Sequence, residues 1–577
     1  MTKRVLVVAL VAVVIAGGAA YALRVEEGPS SPESEPPATF DGMAEDIGAP
    51  VMDLIYKGHV AGRSGEIMLV PKPHHFLIGE WDPSVLLSST PNLTTSHPNP
   101  WNYIVRVPIV LWGPRWIRSG IANYDEVDIT GLAPTFARML GMNDFEAEGR
   151  VLPGALKPGA TERPKVIFTV VLDGGGWNTL QRHVTAWPTI KQLGRDGTTY
   201  YNATIGSAPS ITGALHATFG TGSYPREHGI PGNQMRGPDG ANTDTWQQNA
   251  DPTYLRLPTV SELWDEANGN DAIVGTVSYE GWHLGMIGHG AQRQGGDKDI
   301  AALWELEEDE WWINEGYYTL PSYLQETDLA RLESYERALD GRDGIVDGSW
   351  YGHTLDELQA NTVRPGTPGF VRFTGDAVVD LIRHEDLGAD DITDMIWIEM
   401  KMPDFAGHAW NMDGAEQEDV LEETDRQIAR FMDELDRKVG RGNYVLAVSA
   451  DHGQQPIPDL EGGWRINNKE LERDIEAEFG SIIEKITPVD IYFDRDAVQD
   501  EGVDLEEVAH FIVGYQLHEN IPDELPSDMI PEARKDDLLF VGAFPTGYIE
   551  DLTPEKIESF GDSEYPEGVL TVERGGF

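Results

Sequence analysis

Val166-Ile167-Phe168-Thr169-Val170-Val171-Leu172-Asp173-Gly174 is an apolar run rich in β-branched residues that stops at an acid and a glycine. Such a run reads as a strand buried on both faces, the kind found in parallel sheets covered by helices. Two further runs end in the same way. Met395-Ile396-Trp397-Ile398-Glu399-Met400 is followed shortly by Asp404, and Tyr444-Val445-Leu446-Ala447-Val448-Ser449-Ala450 leads into Asp451-His452-Gly453. Glu66 to Val70 and Val107 to Trp112 are additional candidates, with Pro108 tolerable because it falls at a strand start. Helical patterns alternate with these runs. The strongest spans Glu418 to Val439, where Leu421, Ile428, Phe431, Met432 and Leu435 recur mostly at three- and four-residue intervals. The alternation predicts an α/β fold, a mostly parallel sheet sandwiched by helices. The acidic, aromatic stretch from about Leu303 to Asn361 reads as part of a cap inserted over residues 280–375, with Trp311 and Trp312 in the cap core instead of stacking a base.

Composition narrows the function classes. The 577 residues carry 43 Lys plus Arg against 97 Asp plus Glu, a formal charge of −54, which excludes a protein that coats nucleic acid. With 40% apolar and 24% charged residues the chain is a folded protein, and the acidity belongs on its surface. Only 13 of the 43 cationic residues are lysine, and a self-repelling acidic shell is best tolerated where salt screens it. The absence of Cys excludes disulfides, thiolate metal sites and cysteine nucleophiles.

Lys3 and Arg4 precede an uncharged run from Val5 to Leu23, 19 residues that as a helix would span about 28 Å. Residues 1–24 read as an export signal or, slightly favoured by the length of the run, an uncleaved membrane anchor, which makes the protein extracytoplasmic. Residues 25–50, with Ser30-Ser31-Pro32-Glu33-Ser34-Glu35-Pro36-Pro37, read as a disordered linker. Residues 51–577 read as a single catalytic domain, expected to act as a monomer.

In an open α/β sheet ligands bind beyond the carboxyl ends of the strands, so Asp173, Asp404, Asp451 and His452 are expected to converge. Carboxylates gathered in one crevice repel unless a cation joins them. Asp404-Phe405-Ala406-Gly407-His408 sets a carboxylate and an imidazole one turn apart. Such ligands without thiolate suit zinc, with manganese or other divalent ions as alternatives. Pro209-Ser210-Ile211-Thr212-Gly213-Ala214-Leu215-His216 places a hydroxyl at the opening of a helix, where free N–H groups and the dipole favour phosphate. The commoner role of such a residue is a helix cap.

These motifs, in this order, resemble the alkaline phosphatase superfamily, specifically its threonine-nucleophile branch of nucleotide pyrophosphatases and phosphodiesterases. The likeness rests on Leu172-Asp173-Gly174, the Thr212 to Ile230 block, Asp404 to His408 and Asp451-His452-Gly453. The resemblance implies an alkaline-phosphatase-like sheet and two divalent metal ions, zinc by preference. One ion would be held by Asp404, His408 and His97, the other by Asp173, Asp451, His452 and the oxygen of Thr212. It also implies Thr212 as nucleophile through a phosphothreonine, Asn233 as a donor to phosphoryl oxygen, and a small phosphodiester or nucleotide as substrate. The branch's usual C-terminal zinc histidine has no counterpart after residue 453. Gly62-Arg63-Ser64-Gly65-Glu66-Ile67 and Thr94-Thr95-Ser96-His97-Pro98-Asn99-Pro100-Trp101 resemble that terminal segment, so residues 51–150 read as a circularly permuted C-terminal part that brings His97 to the site. Phe577 should then lie near Met43 to Gly62.

Phosphomonoesterases of the branch usually carry Ser-x-Lys-x-Arg. The corresponding Ser278-Tyr279-Glu280-Gly281-Trp282 lacks both cations, which favours a diester monoanion over a monoester dianion. His283 and His289 just beyond are read as structural. An alkaline phosphomonoesterase and a catalytically silent binding domain of the same fold are the alternatives. A sulfatase is disfavoured because Ile211 stands where its motif has Arg. From the charge alone, the melting temperature is expected to rise as salt is added, checked by calorimetry across ionic strengths; a fall would contradict the screened-shell reading.

Overall fold

The computed structural model describes residues 37–78, 95–160, 162–246, 249–306, 308–359, 363–522, 530–563 and 565. The run from Val5 to Leu23 lies outside the described residues, and no described helix is long and apolar enough to cross a membrane.

The main sheet has ten strands. Those that matter here are β2 (Arg106–Trp112), β3 (Ile121–Asn123), β4 (Val166–Leu172), β5 (Thr198–Thr204), β6 (Val274–Ser278), β7 (Ile300–Glu305), β8 (Glu310–Trp312), β9 (Asp394–Met400) and β10 (Tyr444–Ala450), preceded in the chain by β1 (Ile67–Pro71) of a second sheet. The order across the sheet is β8-β7-β6-β9-β4-β10-β2-β5-β3. From β7 to β10 the pairs are parallel, β2 runs against both its neighbours, and β8 returns antiparallel to β7. β4, β9 and β10 are buried along their whole length, as their unbroken apolar runs require.

The second sheet joins an early strand of the domain to late ones. β1 lies between β12 (Asp490–Phe493) and β13 (Phe540–Pro545), with β11 (Ile483–Ile486) outside β12. β1 is antiparallel to both neighbours. At the front of the domain, α1 (Phe40–Ile47) and α2 (Ala49–Gly58) pack against this sheet, burying Met43, Ile47, Met52 and Ile55. The Ala49 N–H donates to Gly561 O at 2.8 Å, so the front helices touch the last described turn. Phe577 itself lies outside the described residues.

Two expectations need correction. The linker expected over residues 25–50 does not extend to its end, because the chain is helical from Phe40. Thr39 caps α1 by accepting the Gly42 N–H, and buried Met43, Ala44 and Ile47 give the segment a packing face that a spacer lacks. The insertion expected over about 280–375 is not all cap. Ile300-Ala301-Ala302-Leu303 pairs in parallel with β6, and β8 closes the sheet edge, so its first part extends the main sheet. Trp311 packs edge-on to Trp304 at 5.2 Å and stacks with Phe373 at 6.1 Å, as core. Phe373 belongs to α4 (Pro368–His384), a helix laid along α6 (Ala415–Leu435), with α5 (Met402–Trp410) between them in the chain.

Asp490, buried on β12, is pushed up to about 7 by burial and then by Glu66, against a hydrogen bond from Gly65. Its native pKa lies above the unfolded value, so the native state binds this proton more tightly and stability from this group falls as pH rises from about 4 through about 7. Asp490→Asn keeps an acceptor for Gly65 and is expected to raise the melting temperature above pH 7 while having little effect near pH 4. A pH-independent difference between the two proteins would overturn this assignment.

Candidate active site

The register of β9 and β10 against β4 places Met400 and Ala450 level with Leu172, so Asp173, Lys401 and Asp451 leave the sheet side by side. The turn after β4 is tight. Gly174 has φ +69, and a Cβ there would lie 2.9 Å from Asp404 Cα, so only glycine lets α5 close onto this strand end. The Gly174 N–H donates to Asp451 Oδ1 at 3.2 Å. Asp404 occupies the first turn of α5, where the helix dipole favours a carboxylate, and His408 follows one turn later.

His97 arrives from the front of the chain. Its Nε2 is 3.4 Å from Asp404 Oδ1, and its ring stacks on that of His452 with centroids 3.6 Å apart. His408 Nε2 is 3.3 Å from the same Asp404 oxygen. His452 Nε2 is 3.4 Å from Asp173 Oδ1 and 3.3 Å from Asp451 Oδ2. The sequence-derived ligands Asp173, Asp404, His408, Asp451, His452 and His97 therefore meet in one crevice.

Backbone carbonyls orient the imidazoles. His97 Nδ1 lies 2.8 Å from Ser210 O, His408 Nδ1 2.7 Å from Thr95 O, and His452 Nδ1 3.0 Å from Gly453 O. A carbonyl only accepts, so each Nδ1 carries the proton and each Nε2 offers its lone pair toward a carboxylate. Lone pairs at such distances repel unless a cation lies between them. Tetrahedral ligands about 2.1 Å from zinc stand about 3.4 Å apart, which matches these spacings. Asp173 Oδ1, Asp451 Oδ2 and His452 Nε2 are buried without a hydrogen-bond partner, the orphaned set that a divalent ion would satisfy. The residues present thus fit a metal centre.

Charge in the crevice follows burial. Burial pushes Asp173 and Asp451 above the usual carboxylate range. Burial would do the same to Asp404, but His408, Lys401 and His97 hold it well below that range. Burial lowers His97 to about 4 and pushes His452 well below its ordinary value. His408 rises because Asp404 outweighs its desolvation. Lys401 bonds the remaining oxygens, with Nζ 3.0 Å from Asp173 Oδ2 and 2.7 Å from Asp404 Oδ2.

Thr212 opens the helix α3 (Thr212–Thr221), but it is not the cap, since Ile211 holds that position and no side chain caps this end. Its hydroxyl is not engaged in the commoner role. Gly213 N–H donates to Asn233 Oδ1 at 2.9 Å, which ties Asn233 to the first turn and fixes which end of its amide is occupied.

Sequence reasoning did not assign Lys401, Glu399, His216 or Gln454 to the crevice. Gln454 Nε2 donates to Asp404 Oδ1. His216 lies one turn after Thr212 and donates from Nδ1 to Thr212 O at 2.9 Å, a spacing that could have marked it. His283, expected to be structural, reaches within 3.5 Å of Asp173 Oδ2. His289, also expected to be structural, is bonded to Glu262 at 2.9 Å and to Leu255 O. Tyr279, where the cationic segment was sought, is a buried ring whose N–H donates to Glu399 Oε2 at 3.0 Å.

Residues 167–541 match the family model described as type I phosphodiesterase / nucleotide pyrophosphatase. Alkaline phosphatase PafA of Elizabethkingia meningoseptica is 24% identical over 418 residues, 62% of this chain and 74% of that protein. Alkaline phosphatase PhoV of Synechococcus elongatus is 22% identical over 434 residues, 66% of this chain and 76% of that protein. The crystal structure of wild-type PafA superposes with a TM-score of 0.51 at 20% identity, covering 67% of this chain and 85% of that chain, which establishes a shared fold.

Chelation is expected to lower the melting temperature, because Asp173, Glu399, Asp404 and Asp451 are then left with Lys401 as the cation beside them, and zinc should restore it. An unchanged melting temperature would mean that the crevice is satisfied without metal.

Proposed function

The chain belongs to the type I phosphodiesterase / nucleotide pyrophosphatase family and is a phosphoric ester hydrolase, and from that premise we propose that it cleaves small phosphodiesters or nucleotides through Thr212. The observation that carries the reading is the set of imidazoles His97, His408 and His452, turned by backbone carbonyls to face carboxylates 3.3 to 3.4 Å away, with the Ser210 carbonyl that holds His97 lying two residues before the threonine that opens a helix. His97, Asp404 and His408 would hold one divalent ion, and Asp173, Asp451, His452 and the Thr212 oxygen the other. Ions bound there supply Lewis acidity that favours an ionised hydroxyl and screens developing charge.

Thr212 attacks phosphorus in line with the leaving oxygen. A bond forms from the threonine oxygen to phosphorus and the bond to the leaving oxygen breaks, the leaving oxygen takes up a proton, and the rest of the ester stays on Thr212 as a phosphothreonine. Water then attacks the same phosphorus, and the threonine oxygen departs and regains its proton. Asn233, whose Oδ1 accepts from Gly213, has its NH2 left to donate to a phosphoryl oxygen. The N-terminus of α3 favours the charge that develops there.

Two observations support diester over monoester. The segment from Ser278 to Trp282 carries no cation. Lys401 is committed to Asp173 and Asp404. A monoester dianion would lack a counter-charge that a diester monoanion needs less. The names of the relatives PafA and PhoV favour a second reading, phosphomonoester hydrolysis at the same threonine.

The proposal includes permutation of residues 51–150, with His97 as a ligand. It is supported by a family match that begins only at residue 167, by the burial of β2 within the sheet, and by the contact of Ala49 with Gly561. Export by the segment from Val5 to Leu23, with the catalytic domain outside the cytoplasm, completes the reading.

Hydrolysis of a bis-aryl phosphodiester is expected to exceed that of the aryl monoester, and Thr212→Ala should cost about three orders of magnitude or more. Monoester preference would move the chemistry to the second reading; full activity of Thr212→Ala would remove this threonine as nucleophile.

A further inference from the structure

Three carboxylates outside the crevice meet where the helix Val260–Ala267 approaches the chain entering β7. Asp265 lies in the last turn of that helix, and Asp297-Lys298-Asp299 leads directly into Ile300. One oxygen from each of Asp265, Asp297 and Asp299 lies within 4.8 Å of the other two. Asp265 is 4% and Asp299 8% exposed, while Asp297 is exposed and opens the group to solvent. The group shares no residue with the crevice.

These charges have no counter-ion from the protein. Lys298 Nζ donates to Glu315 O and Arg293 pairs with Glu266 at 3.2 Å, and among the described residues no Lys or Arg pairs with Asp265, Asp297 or Asp299. Asp265 stands at the end of a helix whose dipole already repels a carboxylate, and the last turn holds no basic residue. It accepts the Ala272 N–H on Oδ1 at 2.8 Å. The Asp299 carboxylate, more than nine-tenths buried and turned toward the other two, has neither a hydrogen bond nor an ion pair among the described residues. Glu262, whose charge also reaches Asp299, is occupied by the N–H groups of Thr259 and His289. Burial first, then the neighbouring carboxylates, push Asp265 up to about 7 and Asp299 well above the usual carboxylate range.

A shared proton joins two carboxylates, whereas three that converge on a buried, unpartnered one call for a cation. We propose that Asp265, Asp297 and Asp299 bind a calcium ion apart from the catalytic crevice. Each oxygen on calcium lies about 2.4 Å from the ion, so oxygens on opposite sides stand about 4.8 Å apart and one ion reaches all three. An all-oxygen set without imidazole or thiolate suits a hard cation and not zinc. The open side at Asp297 admits the waters that complete the roughly six to eight ligands of calcium, while magnesium demands shorter bonds in a near-ideal octahedron. The ion pins the end of the helix Val260–Ala267 to the start of β7. The same helix carries Glu262, which accepts the His289 N–H at 2.7 Å, so the pin also steadies the stretch that follows β6.

The test counts calcium independently of turnover. Protein loaded with zinc, so that the crevice is filled, is dialysed to equilibrium against radioactive calcium in about 1 M potassium chloride, which screens the acidic surface. One saturable equivalent is expected in the unaltered protein, and its loss is expected in both Asp299→Asn and Asp297→Asn with the zinc content unchanged. Calcium should also raise the melting temperature of the unaltered protein and leave that of Asp297→Asn where it was. No saturable calcium in the unaltered protein overturns the proposal. An equivalent that survives both substitutions also overturns it, because the ion then lies elsewhere, and so do equal melting shifts in the unaltered protein and Asp297→Asn. Asp297 is exposed, so its substitution decides the question even where Asp299→Asn does not fold.

Discussion

Asp173, Glu399, Asp404 and Asp451 are drawn into one crevice at the ends of adjacent parallel strands, and like charges held out of water set the terms for everything around them. The parallel register brings them together, because β4, β9 and β10 end at the same level. Such an arrangement holds only with compensation. Lys401 supplies part of it, between Asp173 and Asp404. The histidines add to it, His408 most directly through Asp404, and where their Nε2 atoms turn inward the crevice fits a metal ion.

The imidazoles do this through a shared device. In His97, His216, His283, His408 and His452 the Nδ1 lies against a backbone carbonyl, which fixes the proton there and turns Nε2 inward. For His97 and His408 the carbonyls come from remote parts of the chain, Ser210 and Thr95, while His216, His283 and His452 use near neighbours, Thr212, Glu280 and Gly453. Folding thus selects the tautomer. It also places Thr95 and His97 on α5, where the Thr95 hydroxyl donates to Gly407 O at 2.8 Å.

The first and last described segments are bound to each other, and the early segment that carries His97 is bound to the site. β2 sits between β10 and β5, and β1 sits between β12 and β13, so neither sheet closes without the segment before residue 113. This explains how a residue as early as His97 stands against Asp404. It also explains why the acidic surface, for all its repulsion, surrounds an interior whose apolar clusters run through both sheets.

From the sequence alone, the strands and their order of acids were legible, since an unbroken apolar run ending in Asp is a local pattern: Asp173, Asp404 and Asp451 follow from it, and His408 follows from helical spacing. Thr212, Asn233 and His97 became legible through resemblance to a family. Folding decided the rest. The helix from Phe40 and the sheet strand at Ile300 were hidden because acidic, proline-rich or aromatic surroundings mask a short packing face. Glu399 reads locally as one more residue of a strand, His283 as a loop histidine and Lys401 as a surface lysine. Where each side chain goes is set by the elements that close over it, Tyr279 for Glu399, the Glu280 carbonyl for His283, and Asp173 for Lys401. Those partners lie far away in the chain or on a turn whose course depends on packing, so their effect appears only when burial removes water and every remaining polar atom must find a partner inside the protein.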